Sequence, residues 1–162
     1  MLCVSDISAS GSLQRRLASI LDAFALRCDV HPAEAPIPAS YWGEPEAGIE
    51  SDTVHVRADT PIHSLLHELC HLVCMGDARR KRVFRDAGGT DSEEAAVCYL
   101  QLCLADRLLD DGWPALARDM DEWGYSFPAS STEEWFKNDA DDAARWLVDH
   151  GFSEWLVQVR AS

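Results

Sequence analysis

Residues 60–76 read TPIHSLLHELCHLVCMG, and this stretch decides the fold around it. Thr60 followed by Pro61 predicts a helix start, with Thr60 as the N-cap and Pro61 at the first helical position. Gly76 predicts the C-terminal cap. Between them, apolar residues recur at helical spacing and predict one buried face. That face consists of Ile62, Leu65, Leu66, Leu69, Leu72 and Val73.

The middle of this predicted helix carries the pentapeptide His67-Glu68-Leu69-Cys70-His71, which has the form H-E-x-x-H. Residues four apart lie on the same face of a helix, so both imidazoles can reach one metal ion. Glu68 then lies beside that metal, where it can act on a water molecule, as a zinc hydrolase requires. The alternative is an amphipathic helix with two surface histidines and a solvated glutamate.

Two histidines do not complete a catalytic zinc site, because such sites usually have three protein ligands. One way to supply the third is the extended form H-E-x-x-H-x-x-G-x-x-H. This form is excluded, since Cys74 and Asp77 stand where Gly and His are required. A three-histidine ladder that adds His63 is also disfavoured, because His63 and His71 are about two helical turns apart. The third ligand must come from another part of the chain.

A second predicted helix follows Gly88-Gly89 and opens with the acidic stretch Asp91-Ser92-Glu93-Glu94. Glu93 falls on the apolar face of that helix, which should pack against the motif helix, whereas Glu94 falls on a more mixed face. Glu93 is therefore favoured as the third ligand, Glu94 is the runner-up, and Asp91 ranks below both. The alternative role for either glutamate is helix capping, because both fit a capping box.

His67-Glu68-x-x-His71 followed by Glu93-Glu94-Ala95-Ala96 resembles the zinc metallopeptidases of the gluzincin group, in particular the small minigluzincins and ImmA/IrrE-like peptidases. The resemblance extends from about Asp52 to Leu109. It implies a zincin-like domain that binds one zinc ion through His67, His71 and Glu93. It also implies Glu68 as the general base and a peptide or protein as the substrate. Those families often place Asn or Asp four residues after the glutamate ligand, where this chain has Val97.

Peptide hydrolysis usually needs a further hydrogen-bond donor for the developing oxyanion. The candidates for this donor are Tyr125 and His150, followed by Tyr99 and His55. The alternating stretch 52–57 predicts a strand, and one of its edges could accept an extended peptide as an added strand. Glu68 favours an enzyme over the second hypothesis, a non-enzymatic binding or regulatory module stabilised by zinc.

A chain of 162 residues predicts a single domain, residues 1–162. The net charge of −14 disfavours nucleic acid as a partner, and the basic cluster at residues 79–82 is more typical of a solvated helix face. No apolar run is long enough for a membrane helix, and the N-terminus lacks the pattern of a secretory signal. The six cysteines are expected to be free thiols. These features predict a cytoplasmic protein, with its oligomeric state undetermined.

The remaining patterns predict an α+β fold, mostly helical, with a small sheet beside the motif helix. Helices are expected at residues 12–27, 77–86, 91–109, 110–123 and 131–150, with a final amphipathic segment at 152–159. Short strands are expected at 28–31 and 52–57. Four prolines make residues 32–45 a loop, and Tyr41 and Trp42 are expected to anchor it.

Overall fold

The computed structural model describes residues 1–152, and the predicted segment at 152–159 lies outside this range except for Phe152. The fold is α+β and dominated by helices, as predicted, with three short strands. The chain divides into two compact units, Met1–Gly88 and a second that begins at Gly89. The single-domain organisation stays a prediction. None of the described helices is long and apolar enough to cross a membrane.

The first unit contains a three-stranded sheet and four helices. Its elements are α1 (Val4–Ser8), α2 (Gly11–Ala23), β1 (Arg27–His31), β2 (Gly48–Glu50), β3 (Thr53–Arg57), α3 (Ile62–Cys74) and α4 (Asp77–Arg80). The second unit is helical in its described part. Its elements are α5 (Asp91–Leu108), α6 (Gly112–Trp123), α7 (Thr132–Asn138) and α8 (Asp141–Asp149).

Strand β3 lies in the centre of the sheet, parallel to β1 and antiparallel to β2. Both of its edges are therefore already hydrogen-bonded, and the expectation that it accepts an added peptide strand is wrong. The outer edge of β2 is also engaged, because Arg85 donates its backbone N–H to Ile49 O at 2.9 Å and Ser51 donates to Val83 O at 3.1 Å. Val54 and Val56 are fully buried, and α3 packs on β2 and β3.

Helix α3 has the predicted apolar face, and every member of that face is buried. Full burial of each leucine contributes roughly 1.5–3 kcal/mol to folding. The burial goes further than an amphipathic pattern requires, because His63, Ser64, Cys70 and His71 are buried as well. Helix α3 is therefore an interior helix, and the polar groups along it need partners inside the protein.

Each cap of α3 differs from the prediction by one residue. Pro61, not Thr60, is the N-cap, and the Thr60 hydroxyl instead accepts a hydrogen bond from Arg57 N at 2.9 Å. At the other end the cap is Met75, and Gly76 has an ordinary φ of −70° as the N-cap of α4. A left-handed glycine cap is unnecessary here, because the Arg80 guanidinium donates to Leu72 O at 2.7 and 2.9 Å.

The loop at residues 32–45 is present, but its expected anchors are wrong. Trp42 is 79% exposed and Tyr41 is 51% exposed. Small and medium apolar residues are buried in and beside the loop instead, namely Ile37, Ala39 and Ala47. Proline spacing identifies a loop reliably, but it does not say which of its side chains turn inward.

The second unit is built on α5, which carries an almost unbroken buried stretch from Ala96 to Ala105. An aromatic cluster packs nearby, with the Phe136 ring 4.8 Å from Tyr99 and 4.9 Å from Trp113. The predicted single helix at residues 131–150 is wrong, since it breaks at Asp139 and Ala140 into α7 and α8. Asp139 and the acids after it disfavour the C-terminal end of a helix and favour the start of a new one.

The buried hydroxyl of Ser64 provides a test of how α3 is fixed. Its Oγ accepts a hydrogen bond from Ala47 N at 2.9 Å in a buried setting. Ser64→Ala leaves that N–H without its acceptor, so we expect the free energy of unfolding to fall by about 1–3 kcal/mol in urea titrations. The control Ser92→Ala, at an exposed position of α5, should change it by less than about 0.5 kcal/mol. Equal effects of the two substitutions would contradict this role.

Candidate metal centre

The two motif histidines converge on one point. Their Nε2 atoms lie 3.2 Å apart, and the rings are 4.7 Å apart and perpendicular. Two nitrogens bound to one tetrahedral zinc ion, each about 2.0–2.1 Å from the metal, lie roughly 3.3 Å apart. The spacing of His67 and His71 therefore fits a shared metal ion without rearrangement, although it also suits an imidazole–imidazole hydrogen bond.

The surroundings of the pair differ along the helix. His71 is buried, whereas His67 and Glu68 are half-buried, so this face of α3 is partly accessible. The helix is fixed at its start by the bond from Ile62 N to Leu2 O at 2.9 Å. Arg80 fixes its last turn. A rigid, largely buried helix of this kind holds ligand side chains in place before any ion arrives.

His63, one turn before His67 on α3, differs from the two motif histidines in its burial and its pKa. It is 1% exposed, and burial, assisted by the nearby His67 imidazole, lowers its pKa from 6.5 to about 4. Protonation of this ring would place a positive charge in the protein interior, away from water. His63 is therefore a neutral ring at physiological pH.

The two glutamates at the start of α5 point to different environments. Thr90 caps the helix, its hydroxyl accepting a hydrogen bond from Glu93 N at 3.2 Å. Glu93 is buried, and its carboxylate lies over Gly89, because a Cβ at that glycine would be 2.6 Å from Glu93 Oε1. Glu94 is exposed. The N-terminal cap of α5 is thus the Thr90 hydroxyl, and a capping role for the glutamate side chains stays a prediction.

Among residues 1–152, one group of at least three His, Cys, Asp or Glu side chains could hold a metal ion: His67, Glu94 and Cys98. They offer a ring nitrogen, a carboxylate oxygen and a thiol sulfur, all of which are ligands found in zinc sites. These donors do not identify the metal. Glu94 was the runner-up ligand in the sequence, and Glu93 as a ligand stays a prediction.

Cys98 is the member of this group that sequence reasoning missed. It is buried in the apolar stretch of α5, where cysteine ordinarily behaves as a small hydrophobic residue. The available signal was its spacing, because Glu94 and Cys98 are four residues apart and share one face of the helix. All six cysteines are thiols rather than disulfide partners.

The predicted oxyanion donors lie in separate surroundings. Tyr125 is half-buried, and its phenol oxygen accepts a hydrogen bond from Gln101 Nε2 at 3.5 Å. His150 is exposed and stacks on Trp146, with ring centroids 3.7 Å apart. Tyr99 is fully buried in the aromatic cluster, and His55 contacts His31 and Glu50 on the sheet. Tyr125 and His150 both stay predictions as donors.

This chain matches no known protein family, no curated protein and no solved structure. The resemblance to gluzincins therefore stays a prediction that depends on the motif residues themselves. The function is therefore inferred from the motif residues His67, Glu68 and His71 and from the group that could hold a metal ion, His67, Glu94 and Cys98.

The lowered pKa of His63 predicts a pH dependence of stability. The unfolded chain binds a proton at this residue near pH 6.5, and the folded chain does so only near pH 4. The stability present above pH 6.5 is therefore lost as the pH falls through this window, by about 3 kcal/mol at pH 4. In EDTA, urea titrations at pH 7 and pH 4.5 should show a smaller loss for His63→Gln than for wild type.

The matched control for this experiment is His150→Gln, because His150 is exposed. It should keep the wild-type pH dependence. If His63→Gln loses as much stability between the two pH values as wild type does, His63 is not the group responsible.

Proposed function

We propose that this protein is a zinc-dependent metallopeptidase with a zincin-like fold. The observation that carries the proposal is the 3.2 Å separation of His67 Nε2 and His71 Nε2 on a buried helix. Glu68 follows His67 directly and is half-buried rather than sequestered, as a residue that must meet substrate requires. A purely structural metal site has no need of a carboxylate in that position.

The proposed ligands are His67, His71 and Glu94. Glu94 takes precedence over Glu93 here because it belongs to the group that could hold a metal ion, whereas the Glu93 carboxylate lies over Gly89. Glu94 and two histidines would be a common ligand set for a catalytic zinc ion, with a fourth position for water. Such an ion, when bound, lowers the pKa of its water to about 7 and polarises a scissile carbonyl.

The chain's own residues would then carry the proton transfers. Glu68 is the proposed general base, which accepts a proton from the attacking water and delivers it to the leaving amine. Helix α3 holds its backbone fixed, so the carboxylate would need only a side-chain rotation between these two roles. The substrate class we propose is a peptide or protein, and the proposed donor to the oxyanion is Tyr125 or His150.

A second candidate function follows from Cys98. If its thiolate bound the same ion as His67, His71 and Glu94, the ion would have four protein ligands and no open position. Closed tetrahedral sites with cysteine are typical of structural zinc. The protein would then be a zinc-stabilised binding or regulatory module instead of an enzyme.

Substitution of Glu68 tests catalysis. We expect the same zinc content per chain in wild type and Glu68→Gln, measured by elemental analysis after purification in zinc. Hydrolysis of a fluorogenic peptide library should fall at least a hundredfold in the variant, because general-base catalysis contributes 10²–10⁴-fold. The control Glu122→Gln, at an exposed position on α6, should leave the rate unchanged. Wild type that binds zinc but cleaves none of the library would favour the module.

The ligand set is tested by zinc content after dialysis. We expect Glu94→Gln to lose zinc, while Glu93→Gln and Cys98→Ser keep it. Loss of zinc in Glu93→Gln alone would restore Glu93 as the ligand, as helix phase suggested. Loss in Cys98→Ser would instead indicate the closed site of the structural alternative.

A further inference from the structure

A second pair of histidines lies on the sheet, away from the motif helix. Side chains alternate between the two faces of a strand, so His55 lies on the face of β3 opposite Val54 and Val56. His31, the last residue of β1, reaches across the parallel pairing. Its Nε2 lies 2.9 Å from His55 Nδ1. On the other side of the same ring, His55 Nε2 lies 3.4 Å from Glu50 Oε2 on β2.

The Glu50 carboxylate lies beside the second ring nitrogen of His55, without a hydrogen bond to it. The His55 side chain is 10% exposed, and the Nε2 atom is buried, with the Glu50 carboxylate beside it. A proton on Nε2 is attracted by that carboxylate, which leaves the lone pair of Nδ1 directed at His31. Histidines that bind metals commonly donate their other ring N–H to a carboxylate, and the Glu50 carboxylate lies 3.4 Å from that nitrogen of His55.

The charges on this face favour a cation. Arg57 is neutralised by Asp59, with guanidinium–carboxylate distances of 2.8 and 2.9 Å. Asp29 pairs with His55 in the register of β1 and β3 and thus shares its face. Together with Glu50, it contributes negative charge near the two imidazoles.

We propose that His31 Nε2 and His55 Nδ1 form a second metal-binding site, for a divalent transition-metal ion such as Zn²⁺. Imidazole nitrogen suits zinc, copper and nickel, and the nearby Glu50 carboxylate adds negative charge beside the His55 ring. The nitrogens need to separate by about 0.4–0.5 Å to reach the spacing of two zinc ligands. The bound ion would connect the edge strand β1 to the central strand β3. The alternative explanation of the contact is a hydrogen bond between two neutral imidazoles.

Isothermal titration of EDTA-treated, dialysed protein with ZnCl₂ tests this site separately from the motif site. We expect two sites in wild type, of which the weaker one is lost, or weakened at least tenfold, in His31→Gln. His67→Gln should lose the other site and keep this one. His150→Gln is the matched control, since it removes an exposed histidine outside both pairs, and it should keep both sites.

His55→Gln provides a second variant at the same site, and circular dichroism checks that each variant is folded. A single site in wild type that persists in His31→Gln would overturn the proposal and assign the pair as a hydrogen bond. A single site that disappears in His31→Gln would support it and would count against zinc at the motif helix. The two proposals can thus fail independently.

Discussion

The burial of α3 is the constraint on which the rest of the first unit depends. A helix whose leucines pack on β2 and β3 cannot rotate about its axis without exposing that apolar area to water. Its rotational position therefore fixes where every polar residue on it goes. His67 and His71, one turn apart, are held with their Nε2 atoms 3.2 Å apart, so the geometry on which the proposed metal site depends follows from the packing.

An interior helix also determines what its neighbours must do. Buried backbone and side-chain polar groups lose water, and each needs a partner inside the protein. The Ser64 hydroxyl accepts a hydrogen bond from Ala47 N–H, and the Arg80 guanidinium donates one to the carbonyl of Leu72. Part of the basic cluster at residues 79–82 is thus structural, since the Arg80 guanidinium completes a helix end.

Periodicity predicted the interior of the elements better than their ends. The apolar face of α3 was predicted residue by residue, because a 3.6-residue period is set by local geometry alone. Thr60 was misassigned as a cap, since its hydroxyl is used by Arg57 N at the end of β3. The break at Asp139 and the outward position of Trp42 were missed for a related reason. In each case the competing partners are distant in sequence, and a local pattern does not contain them.

The sequence by itself determined that two histidines and a glutamate occupy one turn of a helix with an apolar face, because their spacing and the leucine period are both local properties. It also determined that a carboxylate follows at the start of α5. Only the tertiary structure decided that Glu93 lies over Gly89 and that Cys98 joins Glu94 and His67 as a possible ligand. It alone brought His31, His55 and Glu50 together from three strands. The physical reason is that the helical period sets where each side chain lies around its own helix. A set of metal ligands depends instead on distances between segments that are far apart in the chain.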